Sequence, residues 1–295
     1  MRKPLSGPGA ALALPAALLA GAAAGLAQTI PIPNGSFESP ASLFVSTRVD
    51  HWEDQPRPDD YVETGGFLWE QLTGVFRNTS PGSLDHLENA EGQQAAWLFA
   101  VPGVGLWQEL ERVFEPGTAY QLDALVLGNG GNMLPGPALE FVLGAFATGG
   151  EVLPLASLSI TNDPAIFPLR TLLLPFQLRT PLVRAADAWA GRPIVIQILS
   201  RVTPAQQGGY WDVDDLRLTA VRPPEIVLRT EPADDALRIV WPAAPGFRYQ
   251  LQRSASLEAW TDVGAGLNGR TGELSAEVPV GAAPAFFRVA AQPQL

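Results

Sequence analysis

The chain of 295 residues carries 30 acidic against 19 basic side chains, so its net charge at neutral pH is −11. A surface of this sign repels a phosphate backbone, which excludes nucleic acid as the expected partner. The absence of cysteine excludes disulfides and thiolate metal sites. The 29 Gly and 28 Pro are scattered without a period, which favours many turns between short strands.

The N-terminus has the three parts of a secretion signal. Arg2 and Lys3 give it a positive start, residues 10–26 are an apolar stretch rich in Ala and Leu, and small residues lead to Ala27. A retained membrane anchor is the alternative, but Pro15 interrupts the stretch and makes it a poor spanning helix. We therefore predict cleavage after residue 27, no transmembrane anchor, and a secreted protein found in the periplasm, at the cell surface or outside the cell.

Residues 28–221 are predicted to form one large β-domain. Residues 41–92 read mostly as loop, and a loop of that length usually carries function or contains short unrecognised strands. Beyond it, apolar and polar residues alternate with turn residues between the runs, as in a sandwich, and no amphipathic helix stands out. The predicted strands are 95–99, 106–111, 120–127, 139–147, 152–160, 171–178, 194–200 and 210–218.

Paired prolines mark residues 222–226 as a stiff linker, because proline resists ladder pairing. Residues 227–295 then show four short strands, which predicts a second, small β-domain. By analogy alone it is expected to be a fibronectin-III-like sandwich. Its predicted strands are 237–241, 248–252, 277–280 and 286–289, and its predicted core is Trp241, Leu251, Trp260 and Phe287.

One strand contains a conflict that points to chemistry. Strict alternation would place Asp212 and Asp214 on the same face as Leu216 and Leu218, with Trp211 on the other face. If the two leucines face a core, Asp214 enters that core at its rim, where a carboxylate must be paired, hydrogen-bonded or metal-bound. This pattern suggests a site for a hard cation.

Four short motifs carry a resemblance to a known family. They are Asn34-Gly35-Ser36-Phe37-Glu38, the run 91–96, the run 108–120 with its Pro-Gly-Thr turn, and Val213-Asp214-Asp215-Leu216-Arg217-Leu218. In this order they resemble the galactose-binding-like jelly rolls of secreted carbohydrate-binding modules. Gly74-Val75-Phe76 and the run 91–108 are most similar to the subgroup that contains the calcium-dependent Stig cyclases, which act on indole-isonitrile terpenoids.

This resemblance implies a structural calcium ion between the first and last strands. Its expected ligands are the Ser36 carbonyl, the Glu38 side chain, a carbonyl in the Glu91 region and the Asp214 carboxylate, with Asp215 as the alternative if the register shifts. Calcium prefers six to eight such oxygens in loose geometry. The competing interpretation is that these are solvated acids near a turn.

The resemblance to carbohydrate-binding modules also implies a glycan or another extracellular ligand. Sugar binding needs exposed aromatic faces, and the candidates are Trp52, Tyr61, Trp69 and Trp107. Trp107 is expected to be the most exposed, because it shares a strand face with two glutamates.

Catalysis has little direct support in the sequence. The two histidines have no recognisable metal spacing, and neither a nucleophile elbow nor a phosphate loop is present. We assign no catalytic residue, although the Stig resemblance permits Asp212 beside Trp211 as a general acid. The favoured interpretation is a non-catalytic, calcium-stabilised binding protein. The alternatives are a Stig-type cyclase acting on a terpenoid-indole substrate and a structural or adhesive envelope protein; the oligomeric state is left open.

Overall fold

A computed structural model describes residues 27–63, 66–279 and 285–294. The predicted signal peptide lies outside them, apart from Ala27. Two 3-10 turns occur in this part of the chain, at Trp69–Gln71 and Pro204–Gln206, and no helix within it is long and apolar enough to cross a membrane. The first twelve strands are β1 (Ala27–Ile30), β2 (Val45–Ser46), β3 (Glu53–Asp54), β4 (Thr73–Arg77), β5 (Gln94–Phe99), β6 (Gly105–Val113), β7 (Ala119–Gly130), β8 (Ala138–Phe146), β9 (Val152–Thr161), β10 (Leu174–Arg179), β11 (Pro193–Arg201) and β12 (Tyr210–Val221).

These strands form two antiparallel sheets that enclose one core. The seven-stranded sheet has the order β10-β7-β12-β5-β4-β2, with β1 also pairing β12, and the five-stranded sheet has the order β3-β6-β11-β8-β9. Leu98 and Val213 from the first sheet and Phe141 and Ile196 from the second belong to the same buried cluster. The predicted all-β sandwich is confirmed.

The central strand β12 contains a β-bulge that the sequence did not reveal. Its pairing with β7 runs from Asp214 opposite Leu125 to Arg217 opposite Asp123, so β12 holds one extra residue there. Asp215 has a φ of 51°, in the left-handed region that a bulge residue can use.

Because of this extra residue, the core-facing positions of β12 are odd-numbered before the bulge and even-numbered after it. They are Trp211, Val213, Leu216, Leu218 and Ala220. The predicted face sharing of Asp212 and Asp214 with Leu216 and Leu218 is therefore wrong: strict alternation fails at the bulge, and both acids lie on the face opposite the core.

The loop predicted over residues 41–92 contains three short strands, of which β4 is the most consequential. It pairs with β5 from Thr73 opposite Leu98 to Arg77 opposite Gln94. At its middle, a Cβ on Gly74 would overlap the Trp97 ring. Glycine at this position thus lets an indole lie across a neighbouring strand.

The C-terminal residues form two further antiparallel sheets, of three and four strands, around a second apolar core. Trp241 and Leu251 are buried in this core and Phe287 packs against it, whereas Trp260 lies outside the cluster and stacks beneath the Arg288 guanidinium, 4.3 Å from the ring centre. The predicted core position of Trp260 is therefore wrong. The strands are β13 (Arg229–Ala233), β14 (Ala236–Ala243), β15 (Phe247–Ser254), β16 (Thr261–Asp262), β17 (Leu267–Asn268), β18 (Gly272–Pro279) and β19 (Phe286–Pro293).

Residues 222–226 carry no regular structure, as expected of a linker. Contacts nevertheless cross it. Leu182 and Val221 of the first β-domain pack against the second core, and the Arg179 Nη1 donates a hydrogen bond to the Gln294 carbonyl at 2.7 Å. The domain boundary itself stays a prediction.

The first prediction concerns the core between the two large sheets. Phe141→Ala should lower the free energy of unfolding by about 3–5 kcal/mol, because it removes a buried ring and leaves a cavity. Leu134→Ala, at a side chain that is 56% exposed, should change it by less than about 0.5 kcal/mol. Urea unfolding followed by circular dichroism measures both. Equal losses would place the core elsewhere.

Candidate functional site

A pocket of about 540 Å³ opens on the face of the seven-stranded sheet that points away from the core. One wall of the pocket is formed by β5, whose side chains alternate between the two faces of the sheet. Ala96 and Leu98 face the core, so Trp97 and Phe99 face the pocket. Phe76 stands beside them on β4, with its ring centre 6.5 Å from that of Trp97.

Asp212 lies at the base of this aromatic wall. It is paired in register opposite Trp97 on one side and Leu127 on the other, so it occupies a central position of the sheet. Its side chain is only 4% exposed, and among the described residues its Oδ1 has no hydrogen-bond partner. Burial raises the pKa of Asp212 to about 8. At neutral pH the carboxyl group is therefore protonated and can donate a proton.

Tyr210 lies two residues before Asp212 and also lines the pocket. Its ring stands edge-on to that of Phe99, with centres 6.1 Å apart. Burial is the main cause that raises the pKa of Tyr210, and the charges of Asp212 and Asp85 add to it. The hydroxyl therefore stays neutral and can serve only as a hydrogen-bonding group near the acid.

The pocket mouth carries both apolar and charged side chains from separate loops. Phe44 and Leu84 are largely exposed there, and Arg77, Asp85 and Arg170 complete the border. The pocket lining thus combines aromatic rings and the neutral acid Asp212 with these charged side chains and with the polar side chains of Thr79, Asn129 and Thr171.

The predicted calcium ligand Asp214 lies on the same face of β12 as Asp212, two residues further along the strand. Asp214 is fully buried, and its two carboxylate oxygens accept backbone hydrogen bonds from Glu91 at 2.6 Å and Asp215 at 2.7 Å. Burial raises the pKa of Asp214 to about 8, although both hydrogen bonds act in the opposite direction. The nearby acid Glu91 also has a raised pKa, first because of its hydrogen bond with Asp215 and then because of burial.

The first segment of the chain reaches the same place. Glu38 accepts hydrogen bonds from the backbone amides of Gln93 and Gln94, both at 2.8 Å. The Gly35 carbonyl accepts a bond of 2.8 Å from the Leu216 amide, which places Ser36 beside the bulge of β12. The structure therefore brings Ser36, Glu38, Glu91, Asp214 and Asp215 into one neighbourhood.

These oxygens are of the type that calcium prefers, and the single basic group among them, Arg217, pairs with Asp215 at 2.6 Å and Glu91 at 3.7 Å. Over residues 27–63, 66–279 and 285–294, however, no set of three or more His, Cys, Asp or Glu side chains is arranged to hold a metal ion. An ion here would therefore depend on backbone carbonyls together with the carboxylates.

The four aromatic residues proposed for sugar binding do not share one surface. Trp52 is 6% exposed and packs on Phe37, with ring centres 5.6 Å apart. Tyr61 and Trp69 stand edge-on to each other at 4.9 Å, and the Trp69 indole donates to the Gln55 carbonyl at 2.8 Å.

Trp107, predicted to be the most exposed of the four, is half-buried. Its ring stands edge-on to that of Phe146, with centres 5.0 Å apart. The strand pattern correctly places this residue on the outer face, but it does not reveal the neighbouring ring that covers it.

Sequence reasoning named Asp212 but gave it the wrong aromatic neighbour. Trp211 faces the core, whereas the pocket wall next to Asp212 is formed by Trp97. Trp97 reads as a core residue because a small alanine and Phe99 share its face. The available signal was Gly74, since a glycine inside a strand often marks the close approach of another group.

Comparisons with known proteins identify the family and the fold of the first β-domain. The family model HpiC1-like, described as HpiC1 cyclase, matches residues 28–219. A cyclase from Fischerella sp. TAU shares 23% identity, with a TM-score of 0.50, over 66% of this chain and 98% of its own.

Two further solved structures are similar at lower TM-scores. The Stig cyclase Fisc from the same organism, in complex with (3Z)-3-(1-methyl-2-pyrrolidinylidene)-3H-indole, shares 21% identity, with a TM-score of 0.48, over 66% of this chain and 98% of its own. TmCBM61, in complex with beta-1,4-galactotriose, shares 15% identity, with a TM-score of 0.34, over 63% of this chain and 95% of its own.

No curated protein matches the chain. The family model, however, covers nearly all of the first β-domain, from β1 into β12, and this confirms the resemblance to the Stig cyclases that the motifs indicated. Over residues 28–219 the chain belongs to the HpiC1-like cyclase family.

Proposed function

We propose that the protein is an acid-catalysed cyclase that closes rings on an apolar, alkene-bearing substrate, with Asp212 as the proton donor. The observation that carries this proposal is a carboxyl group with a pKa of about 8 at the base of an aromatic pocket. A general acid works best when its pKa lies near the operating pH. The favoured interpretation from sequence, a non-catalytic glycan-binding protein, gives this acid no role.

The pocket supplies what a cationic cyclisation requires. Proton transfer from Asp212 to an alkene carbon forms a carbon–hydrogen bond and leaves a carbocation. The faces of Trp97 and Phe76 stabilise such a cation electrostatically. Attack by a second π-bond or an electron-rich ring closes the new ring, and loss of a proton to the Asp212 carboxylate restores the acid. The net reaction is an isomerisation, so it needs no oxidant or reductant.

The substrate class follows from the pocket and from family membership together. A volume of about 540 Å³ lies within the usual range for sites that enclose a small organic molecule. The Stig resemblance makes an indole-bearing terpenoid the expected substrate. Such a molecule would place its alkene at Asp212 and its aromatic ring against the wall formed by Phe76, Trp97 and Phe99.

Calcium bound near Asp214 is a second part of this proposal. Asp214 is buried without an ion pair among the described residues, and the segment whose Glu91 amide donates to it also donates to Glu38 through the amides of Gln93 and Gln94. A bound calcium would neutralise these acids and link the first segment to the last strand, two residues from Asp212. The Ser36 carbonyl, the Glu38 side chain, a carbonyl in the Glu91 region and the Asp214 carboxylate would hold it, with Asp215 as the alternative ligand. Export through the N-terminal signal would carry the protein out of the cytoplasm to a compartment with more free calcium, which fits a calcium-dependent fold. Export stays part of the proposal.

The second prediction tests the proton donor. With a geranylated indole as the probe substrate, Asp212→Asn should lower kcat by about 10²–10⁴-fold and change KM much less, because the amide keeps the shape but cannot protonate an alkene. Product formation is followed by chromatography. Asp235→Asn, in the second β-domain, is the matched control. Full activity of Asp212→Asn would refute the assignment.

The third prediction concerns the pH dependence of the same reaction. Because the protonated form of Asp212 is the active one, kcat/KM should fall about tenfold per pH unit above the pKa of about 8. The decline should be absent from the residual activity of Asp212→Asn. A rate that rises through pH 8 would instead indicate a general base.

The fourth prediction links the Asp212 pKa to stability. The pKa is about 8 in the folded protein against 3.8 for the free side chain, so folding retains a proton that the unfolded chain loses. The stability of the folded protein therefore carries no cost from this carboxyl below about pH 4. The cost grows as the pH rises and is complete above about pH 8, where the buried group is ionised. The stability of Asp212→Asn relative to the natural protein should therefore increase between pH 6 and pH 9 in urea unfolding. An unchanged difference would mean that Asp212 titrates normally.

The fifth prediction concerns calcium. A ligand that binds only the folded state stabilises it by about 2.7 kcal/mol at a hundredfold excess over its Kd. Calcium should therefore raise the melting temperature relative to chelator, and Asp214→Asn should remove this response while Asp235→Asn retains it. Identical melting curves with calcium and chelator would leave Asp214 with its backbone hydrogen bonds as its sole partners.

A further inference from the structure

Large apolar side chains stand exposed around the mouth of the candidate active site. Leu84 is 100% exposed, Leu43 91% and Phe44 77%, and both Phe44 and Leu84 line the pocket. Phe67, 54% exposed, reaches the same border, since its ring centre lies 5.1 Å from that of the lining residue Phe99. We call Leu43, Phe44, Phe67 and Leu84 the apolar rim. Exposed apolar groups gathered at one place usually mark an interaction site.

The apolar rim is built from loops and not from one strand edge. Leu43 and Phe44 precede β2, Phe67 precedes the first 3-10 turn, and Leu84 lies in the turn-rich segment between β4 and β5. Three separate loops thus bring apolar side chains to one opening: Phe44 and Leu84 line it, and Phe67 contacts the lining residue Phe99. Whatever covers these side chains must also face the pocket.

Two arginines accompany the apolar tips. Arg77 and Arg170 line the same mouth, and in the part of the chain that the structure describes neither forms an ion pair; the Arg170 Nη1 donates to the Asn132 Oδ1 at 3.2 Å. One acid, Asp85, stands among them. The mouth is therefore locally basic on a chain of net charge −11. Apolar tips flanked by guanidinium groups match a phospholipid surface, where acyl chains lie beneath phosphates.

We propose that the apolar rim docks on a zwitterionic phospholipid surface, from which an apolar substrate passes directly into the pocket. The passage of substrate, and the preference for a lipid surface over a second copy, rest on the proposed cyclase function; the exposed rim and its two arginines do not. A second protein copy seated on the rim would close the entrance that the substrate must use, whereas a lipid surface is itself a reservoir of apolar molecules. The net negative charge of the protein disfavours anionic lipid and selects the zwitterionic headgroup, whose phosphate can contact Arg77 and Arg170.

Vesicle flotation of the full chain tests the docking without any substrate. With phosphatidylcholine vesicles, the fraction of protein that floats should fall at least about tenfold in the double variant Leu43→Asp/Leu84→Asp, because each change would force a carboxylate into the acyl boundary. Arg170→Ala should weaken binding to a smaller extent. Val227→Asp/Leu257→Asp is the matched control, since these side chains are also exposed, at 59% and 55%, but belong to the C-terminal part.

Melting temperatures of all variants verify that they fold, as expected for exposed positions. Absence of flotation of the natural protein, or equal flotation of the two double variants, would overturn the proposal. Light scattering that shows a dimer abolished by Leu43→Asp/Leu84→Asp would overturn it in favour of a second copy. Flotation and turnover are measured separately: a protein that floats but does not turn over the probe would refute the cyclase alone, and the reverse result would refute the docking alone.

Discussion

The arrangement of the site depends on one extra residue in the central strand. The bulge at Asp215, with its φ of 51°, lets Leu216 and Leu218 return to the core after Trp211 and Val213 have already faced it. In an unbroken strand, the leucines and the acids would compete for one face, and one set would be misplaced. The bulge resolves this conflict, so that a single strand closes the core on one side and presents two carboxyl groups on the other.

The two carboxyl groups differ in a way that separates structure from chemistry. Burial raises the pKa of both to about 8, yet Asp214 receives two backbone hydrogen bonds whereas the Asp212 Oδ1 receives none from the described residues. A fold tolerates an unsatisfied buried polar atom at a cost, and such atoms concentrate at functional sites. Under the proposed function, Asp214 is the structural group of the two and Asp212 the reacting one.

Much of the fold could be predicted from the sequence, whereas the site could be predicted only in part. Alternation with turns between the runs located the long strands, since the pattern has a period of two wherever one face is buried. Strand β4 escaped because it is short and contains Gly74, whose purpose appears only once the Trp97 ring is seen above it. The prediction placed Asp212 on the core face and Trp211 on the outer face, whereas the structure shows the reverse. The cause is the bulge, which depends on backbone pairing and has no signature in the residues of this strand.

The pocket lining bears on the choice between a sugar and the apolar substrate of the proposed cyclase. A sugar loses many water hydrogen bonds on binding and needs a polar partner for each. The walls beside Asp212 offer aromatic carbon from Phe76, Trp97 and Phe99, which suits the apolar substrate of the proposed cyclase, whereas a sugar would also need the polar lining groups such as Asn129 and Thr171. The same walls keep water away from Asp212, which is what holds its proton at neutral pH. An apolar substrate brings no water to Asp212 when it binds. If the pocket mouth is docked on lipid, water is also excluded while the substrate enters. Under the proposed function, the acid, the aromatic wall and the apolar rim therefore all favour an apolar ligand.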